Sequence, residues 1–147
     1  MKGIFPSCGN EWQQKTKRHK GRHISRYVHT RVATVKSPWL ANVNVGDVFT
    51  VPASHGEGNF TASPEVVAQL AANGQIAFQY CTANGTPSYD ISCNPNGSYQ
   101  AIEGIISPDG RVLGKMGHSE RRGTDIGKNI PGNKNQPLFD AGVAYFA

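Results

Sequence analysis

The segment "AIEGIISPDGRVLGKMGHSER", residues 101–121, decides how the chain is built. Two strand-like arms flank Pro108-Asp109-Gly110, where Pro presets φ and Gly admits the positive φ that closes a turn. This predicts an antiparallel hairpin over residues 102–116. Gly117 then turns the chain out of the sheet and leaves His118 and Glu120 at its edge. A histidine that is to accept a proton on one ring nitrogen needs a partner on the other, to fix tautomer and orientation. A glutamate two residues away on a bent loop can be that partner. Such pairs are commonplace on protein surfaces, so the rest of the chain has to decide what this one means.

Working outward, "ISRYVHTRVATV" (24–35) mixes Ile24, Val28, Val32 and Val35 with β-branched and aromatic residues and reads as a strand. It stops before "SPWL", where Pro38 holds Ser37 out of the α region. "DVFTVPAS" (47–54) is a second strand, followed by the glycine-punctuated loop "HGEGN". "SPEVVAQLAANG" (63–74) carries helix signals at both ends. Ser63 suits the N-cap, Pro64 the first turn and Gly74 the left-handed residue past the end. Val66, Val67 and Leu70 are its expected apolar face. "QIAFQYC" (75–81) alternates Ile76, Phe78 and Tyr80 and reads as a half-buried strand. "NQPLFDAGVAYFA" (135–147) reads as a short helix packing Leu138, Phe139, Val143 and Phe146. The mixture is α/β or α+β, and periodicity alone does not choose.

A length of 147 residues suits one domain, and 37% hydrophobic residues is ordinary for a globular chain. No apolar run approaches the roughly 20 residues that span a bilayer, and no secretory h-region follows Lys2. Cys8, Cys81 and Cys93 are an odd number with no CxxC pair. They argue against a disulfide framework or zinc site and for a reducing cytoplasm. The net charge of +5 is uneven: residues 1–31 carry +7 and residues 32–147 carry −2. Residues 10–23 lack apolar periodicity and read as a basic, poorly structured lead-in. His19 and His23 would suit a metal only on a helix, which Gly21 and the dense Lys/Arg oppose, so a solvated tail is the better reading. The cluster could bind phosphate backbones without specificity, but no nucleic-acid motif accompanies it.

Two further groups can carry chemistry. His55-Gly56-Glu57-Gly58 sets two polar side chains between glycines that permit a tight turn. Asn94, Asn96 and Ser98 in "NPNGS" are turn formers first.

In their order, "GRHISRYVHTRV" with "SPWL" (21–40), "HGEGNF" (55–60), "NPNGS" (94–98), "IEGIISPDGRVLGKMGHSER" (102–121) and "LFDAGVAYF" (138–146) resemble the C-terminal glutaminase domain of the phosphoribosylformylglycinamidine synthases. The resemblance implies the C-terminal part of an α/β, flavodoxin-like class I glutamine amidotransferase domain, covering residues 21–147 behind an unmatched lead-in of residues 1–20. In such enzymes a Cys thiolate attacks the side-chain amide of glutamine, a His relays the proton and a Glu holds the His. The ammonia then serves an ATP-dependent synthesis of an amidine in purine biosynthesis. By position, His118 resembles the base and Glu120 its orienter. His55 and Glu57 would line the glutamine pocket, and Asn94, Asn96 and Ser98 would shape it. Many members have Pro where this chain has Gly117 and Ser119, which implies a more mobile loop here, and a basic residue where it has Asn59.

The family's nucleophile sits in a Gly-x-Cys-x-Gly turn at a helix N-terminus, where backbone N–H groups lower the thiol pKa and bind the oxyanion. Cys8, in "FPSCGNEW", lacks that setting. Cys81 reads as a small buried residue, and Cys93 belongs to a supporting loop. The expectation is therefore a fragment holding general base and orienter but neither nucleophile nor metal site, inactive alone. ATP and Mg would be used in a synthase region that this chain lacks. Its partners would be glutamine and either a missing N-terminal half, completing a split enzyme, or the synthase domain. A basic nucleic-acid-binding module is the rival class.

Overall fold

A computed structural model describes residues 23–147; the lead-in and Cys8 lie outside the described residues. The elements in chain order are β1 (Ile24–Val32), a 3-10 turn (Pro38–Leu40), β2 (Val48–His55), α1 (Pro64–Ala72), β3 (Ile76–Cys81), a second 3-10 turn (Tyr99–Ala101), β4 (Ile102–Ile106), β5 (Leu113–Lys115) and α2 (Leu138–Phe146). The strands form one wholly antiparallel sheet, ordered β2-β1-β3-β4-β5. With α1 and α2 the architecture is mixed α/β, and the expected hairpin stands before the His118 loop.

Each element follows from local chemistry. The β4–β5 hairpin pairs Gly104 with Lys115 and Ile106 with Leu113. Its turn is closed by Gly110 N–H to Ser107 O at 2.9 Å, with Gly110 at φ +74°. In α1 the Ser63 hydroxyl accepts from Val66 N–H, and Gly74 is left-handed at φ +65°. The "SPWL" turn is a clasp. The Ser37 hydroxyl donates to Gly110 O at 2.7 Å and the Trp39 indole N–H to Arg111 O at 2.8 Å, so this turn grips the tip of the hairpin.

The main core gathers Val28, Val32, Phe49, Val51, Phe78, Tyr80, Ile106 and Leu138, and a smaller cluster joins Val67, Ile76 and Ile102 under α1. Three expectations are corrected. Val66 is exposed, so α1 packs through Val67 with Leu70. All six residues of β3 are buried, not one face, because it is the central strand. In α2 only Leu138, Ala141 and Gly142 are buried; Phe139, Val143 and Phe146 are exposed. Gly142 is the contact because the Trp39 ring occupies the space a Cβ would need.

The sheet curls until its two ends meet. His118 N–H donates to Pro52 O at 2.8 Å, although β2 and β5 are opposite edges of the strand order. Thr50 N–H likewise donates to Asn133 O at 2.7 Å. Pro52 costs no ladder bond because its carbonyl alone is used on that edge. This closure brings the end of β2, where His55 stands, toward the loop after β5, which holds His118.

Candidate active site

His118 leaves the end of the hairpin with its backbone fixed to Pro52 and its side chain half-buried. Its Nδ1 lies 2.6 Å from Glu120 Oε1. A carboxylate can only accept, so Nδ1 carries the hydrogen and Nε2 of the neutral ring is left as a proton acceptor. Burial of Glu120 opposes its charge. Its own backbone N–H and the His118 hydrogen bond and charge outweigh that, and hold the carboxyl below its ordinary value of 4.5.

The loop around this pair is pinned. Ser119 is buried with its hydroxyl donating to Gln136 Oε1. Gly117 is buried, donates its N–H to Glu103 Oε1 at 2.5 Å and accepts at its carbonyl from Lys115 Nζ at 2.6 Å. Where the resemblance implies a more mobile loop, hydrogen bonds tie Gly117 to Glu103 and Lys115, and Ser119 to Gln136. A proline at 117 could not make the bond to Glu103, and even a Cβ there would meet Val51 Cγ2 at 2.6 Å.

His118 and Glu120 open onto a cavity of about 280 Å³, walled by Trp39, Leu113, Met116, Leu138 and Phe139. Such mainly apolar walls with a few convergent polar groups suit a small polar ligand. Sequence reading passed over Trp39 and Met116 as site residues. The Trp39 signal lay in "SPWL", whose grip on the hairpin tip stations the indole beside the pair.

His55 is built differently. The Asn96 amide Nδ2 donates to Gly58 O at 3.0 Å, which fixes the amide's orientation, and also donates to His55 Nδ1. His55 therefore carries its hydrogen on Nε2, which is buried without a partner. Burial lowers the pKa of His55, the nearby His118 lowers it further, Glu103 opposes and His23 adds a smaller lowering. Asn94 closes its own loop through Ser98 N–H to Oδ1 at 2.9 Å and Nδ2 to Ser98 O at 2.8 Å. Ser98 and Tyr99 in turn tie this loop to Phe60, at 3.1 and 2.8 Å. Asn94, Asn96 and Ser98 thus hold the His55 loop in place. Glu57 is exposed and lines a second cavity of about 330 Å³ with Glu103 and Phe60, which meets the His118 cavity only at Lys115 and Met116. The structure brings His55 near His118 but sets Glu57 apart from it.

The two cysteines among the described residues are free. Cys81 is buried in β3, and burial pushes its thiol up to about 12, far from the thiolate range. Cys93 Sγ contacts Ser92 Oγ at 3.7 Å. Neither is a hydrogen-bond partner of His118. Among the described residues no group of three His, Cys, Asp or Glu is placed to hold a metal ion, and no helix is long and apolar enough to cross a membrane.

With this geometry in view, a family model described as a CobB/CobQ-like glutamine amidotransferase domain matches residues 4–146. The chain is 46% identical over 99 residues to the phosphoribosylformylglycinamidine synthase subunit PurQ of Rhodospirillum rubrum, covering 67% of this chain and 42% of that protein. It is 46% identical over 94 residues to PurQ of Acaryochloris marina, covering 64% and 39%. The chain therefore spans about two fifths of the length of these curated relatives. A solved structure of PurLQS from Thermotoga maritima superposes with a TM-score of 0.61 at 23% identity, over 86% of this chain and 50% of that one, which shows a shared fold.

Proposed function

Because the chain belongs to the CobB/CobQ-like glutamine amidotransferase domain family, we propose that it supplies the histidine–carboxylate half of a glutamine-hydrolysing centre whose nucleophilic thiol comes from another segment. The observation that carries this is the His118 Nδ1–Glu120 contact of 2.6 Å beside the cavity. In this reading His118 Nε2 takes the proton from a thiol brought to the cavity mouth. The thiolate attacks the glutamine side-chain amide carbon, and His118 returns the proton to the departing nitrogen, which leaves as ammonia. Water then attacks the acyl-thioester, with His118 again the base, to release glutamate. Glu120 stabilises the imidazolium at each turn.

The curated relatives are named as subunits of phosphoribosylformylglycinamidine synthase. The ammonia would accordingly feed an ATP-dependent formation of an amidine in purine biosynthesis. That step, with its ATP and Mg, is assigned to a synthase region beyond this chain, to which the chain would dock in the cytoplasm. Alone, the chain would release no ammonia, because a base without a nucleophile gives no acyl transfer.

The test is ammonia release from glutamine by the purified chain, alone and mixed with a polypeptide carrying a Gly-x-Cys-x-Gly turn. Activity only in the mixture, lowered about 10²- to 10⁴-fold by His118→Ala, is the expected result. Turnover by the chain alone that vanishes with Cys8→Ser would make Cys8 the nucleophile and overturn the split reading.

A further inference from the structure

We propose that Glu103 and Lys115 are positioning residues for the site: a buried, oppositely charged clasp on both backbone groups of Gly117 that sets where His118 stands. The inference rests on the reading of His118 as the proton acceptor. Glu103 is 1% exposed and its side chain not at all; the Lys115 side chain is 12% exposed. Their charges are 3.3 Å apart. Glu103 Oε1 accepts the Gly117 N–H and Lys115 Nζ donates to the Gly117 carbonyl. One ion pair therefore closes around one residue from both sides, immediately before His118.

A buried ion pair is an expensive way to gain stability, since desolvating two charges offsets most of their attraction, and apolar replacements of similar volume are often neutral or better. What this pair adds is direction. Glu103 sits on β4 and Lys115 ends β5, so hairpin register fixes both. The Lys115 ammonium also lies over the Phe78 ring, 5.4 Å from its centre, within the core. The position of Gly117 is thus transmitted from the rigid sheet and not from the loop beyond it. His118 is held from the other side by Pro52 O. With its backbone fixed from both sides, His118 starts from one place, and Glu120 takes up the ring from there.

The test reads the ring itself. Imidazole ¹⁵N shifts of the 147-residue chain, recorded where His118 is neutral, report which nitrogen carries the hydrogen. The wild-type chain and Lys115→Arg, which keeps a cation within reach of Gly117, should hold His118 as the Nδ1–H form. Lys115→Met and the paired variant Glu103→Met/Lys115→Met should lose that form toward the commoner Nε2–H ring. The Trp39 indole N–H, bonded to Arg111 O in the same cavity wall, should keep its resonance throughout. A purely structural role would move both signals together, and that result overturns the proposal. So does an unchanged His118 tautomer in either Met variant. The paired variant leaves no unpaired charge and so should fold; if it does not, Lys115→Met against Lys115→Arg decides the matter in the same way. A His118 ring that responds as expected, in a chain that never supports ammonia release beside a nucleophile-bearing partner, would keep the clasp and remove the glutaminase reading.

Discussion

His55 and His118 are the same residue at the two ends of one curled sheet, and they are built to opposite ends. His118 meets a carboxylate through Nδ1 and leaves Nε2 open to a proton. His55 meets an amide N–H through Nδ1 and buries the resulting Nε2–H. The first ring keeps an acceptor nitrogen open, and burial of the second favours its neutral form. The residue type alone does not distinguish them; the partner on Nδ1 does. In the proposed reading, the carboxylate–amide difference gives the proton-transfer role to the His118 loop and leaves His55 seated by Asn96 outside that role.

The comparison breaks most severely at Gly117. Gly117→Pro removes the N–H that Glu103 holds and drives ring atoms toward Val51. A buried carboxylate losing a donor, together with overpacking, should cost about 3 kcal/mol. Urea unfolding would read this loss, and the His55 ring, seated by Asn96 and not by Gly117, should keep its Nε2–H form. If the Pro variant is as stable as the parent, the Gly117 contacts hold nothing.

The complementary change is Asn96→Ala. It takes one donor from both His55 Nδ1 and Gly58 O, and should lower stability by about 1 kcal/mol, since these part-buried acceptors can partly turn to water. Hydrogen exchange should rise in residues 55–60 and leave the Gly117–Glu120 loop protected as before. Equal loosening of both loops would show that the two histidines are not independently seated.

How much of this contrast could be read in the sequence depends on how local its causes are. The hairpin was legible because Pro108-Asp109-Gly110 specifies its own turn, and α1 because Ser63, Pro64 and Gly74 mark its ends. The His118–Glu120 pair was legible because its members are two residues apart. Glu103 and Lys115 were not, because only the register of β4 on β5 makes them neighbours. Nor was Gly142, since hydrophobicity cannot flag a glycine whose value is to leave room for Trp39. β3 misled for a related reason. Gln79 looks like an outward-facing polar residue, yet it is buried and its amide donates to Gln100 O at 3.0 Å. Central placement in the sheet is a tertiary fact that alternation does not record.

The smallest expected effect is the most direct on the neutrality of His55. Burial holds its pKa below the ordinary 6.5, with His118 and His23 adding to the lowering and Glu103 opposing it. A histidine whose folded pKa is depressed binds fewer protons folded than unfolded as pH falls through the ordinary value. Stability is therefore greatest above about 6.5 and declines below it, down to the folded pKa. The depressed carboxyl of Glu120 acts in a lower window, below its ordinary 4.5, so the two effects separate. Urea midpoints at about pH 7.5 and pH 5.5 should fall for the parent chain and fall less for His55→Gln, which can still accept from Asn96 but cannot take up a proton. Equal declines in the two chains would mean that His55 charges as readily folded as unfolded. The buried Nε2–H would then be no barrier, and the two histidines would differ in position only, not in the work their surroundings prepare them for.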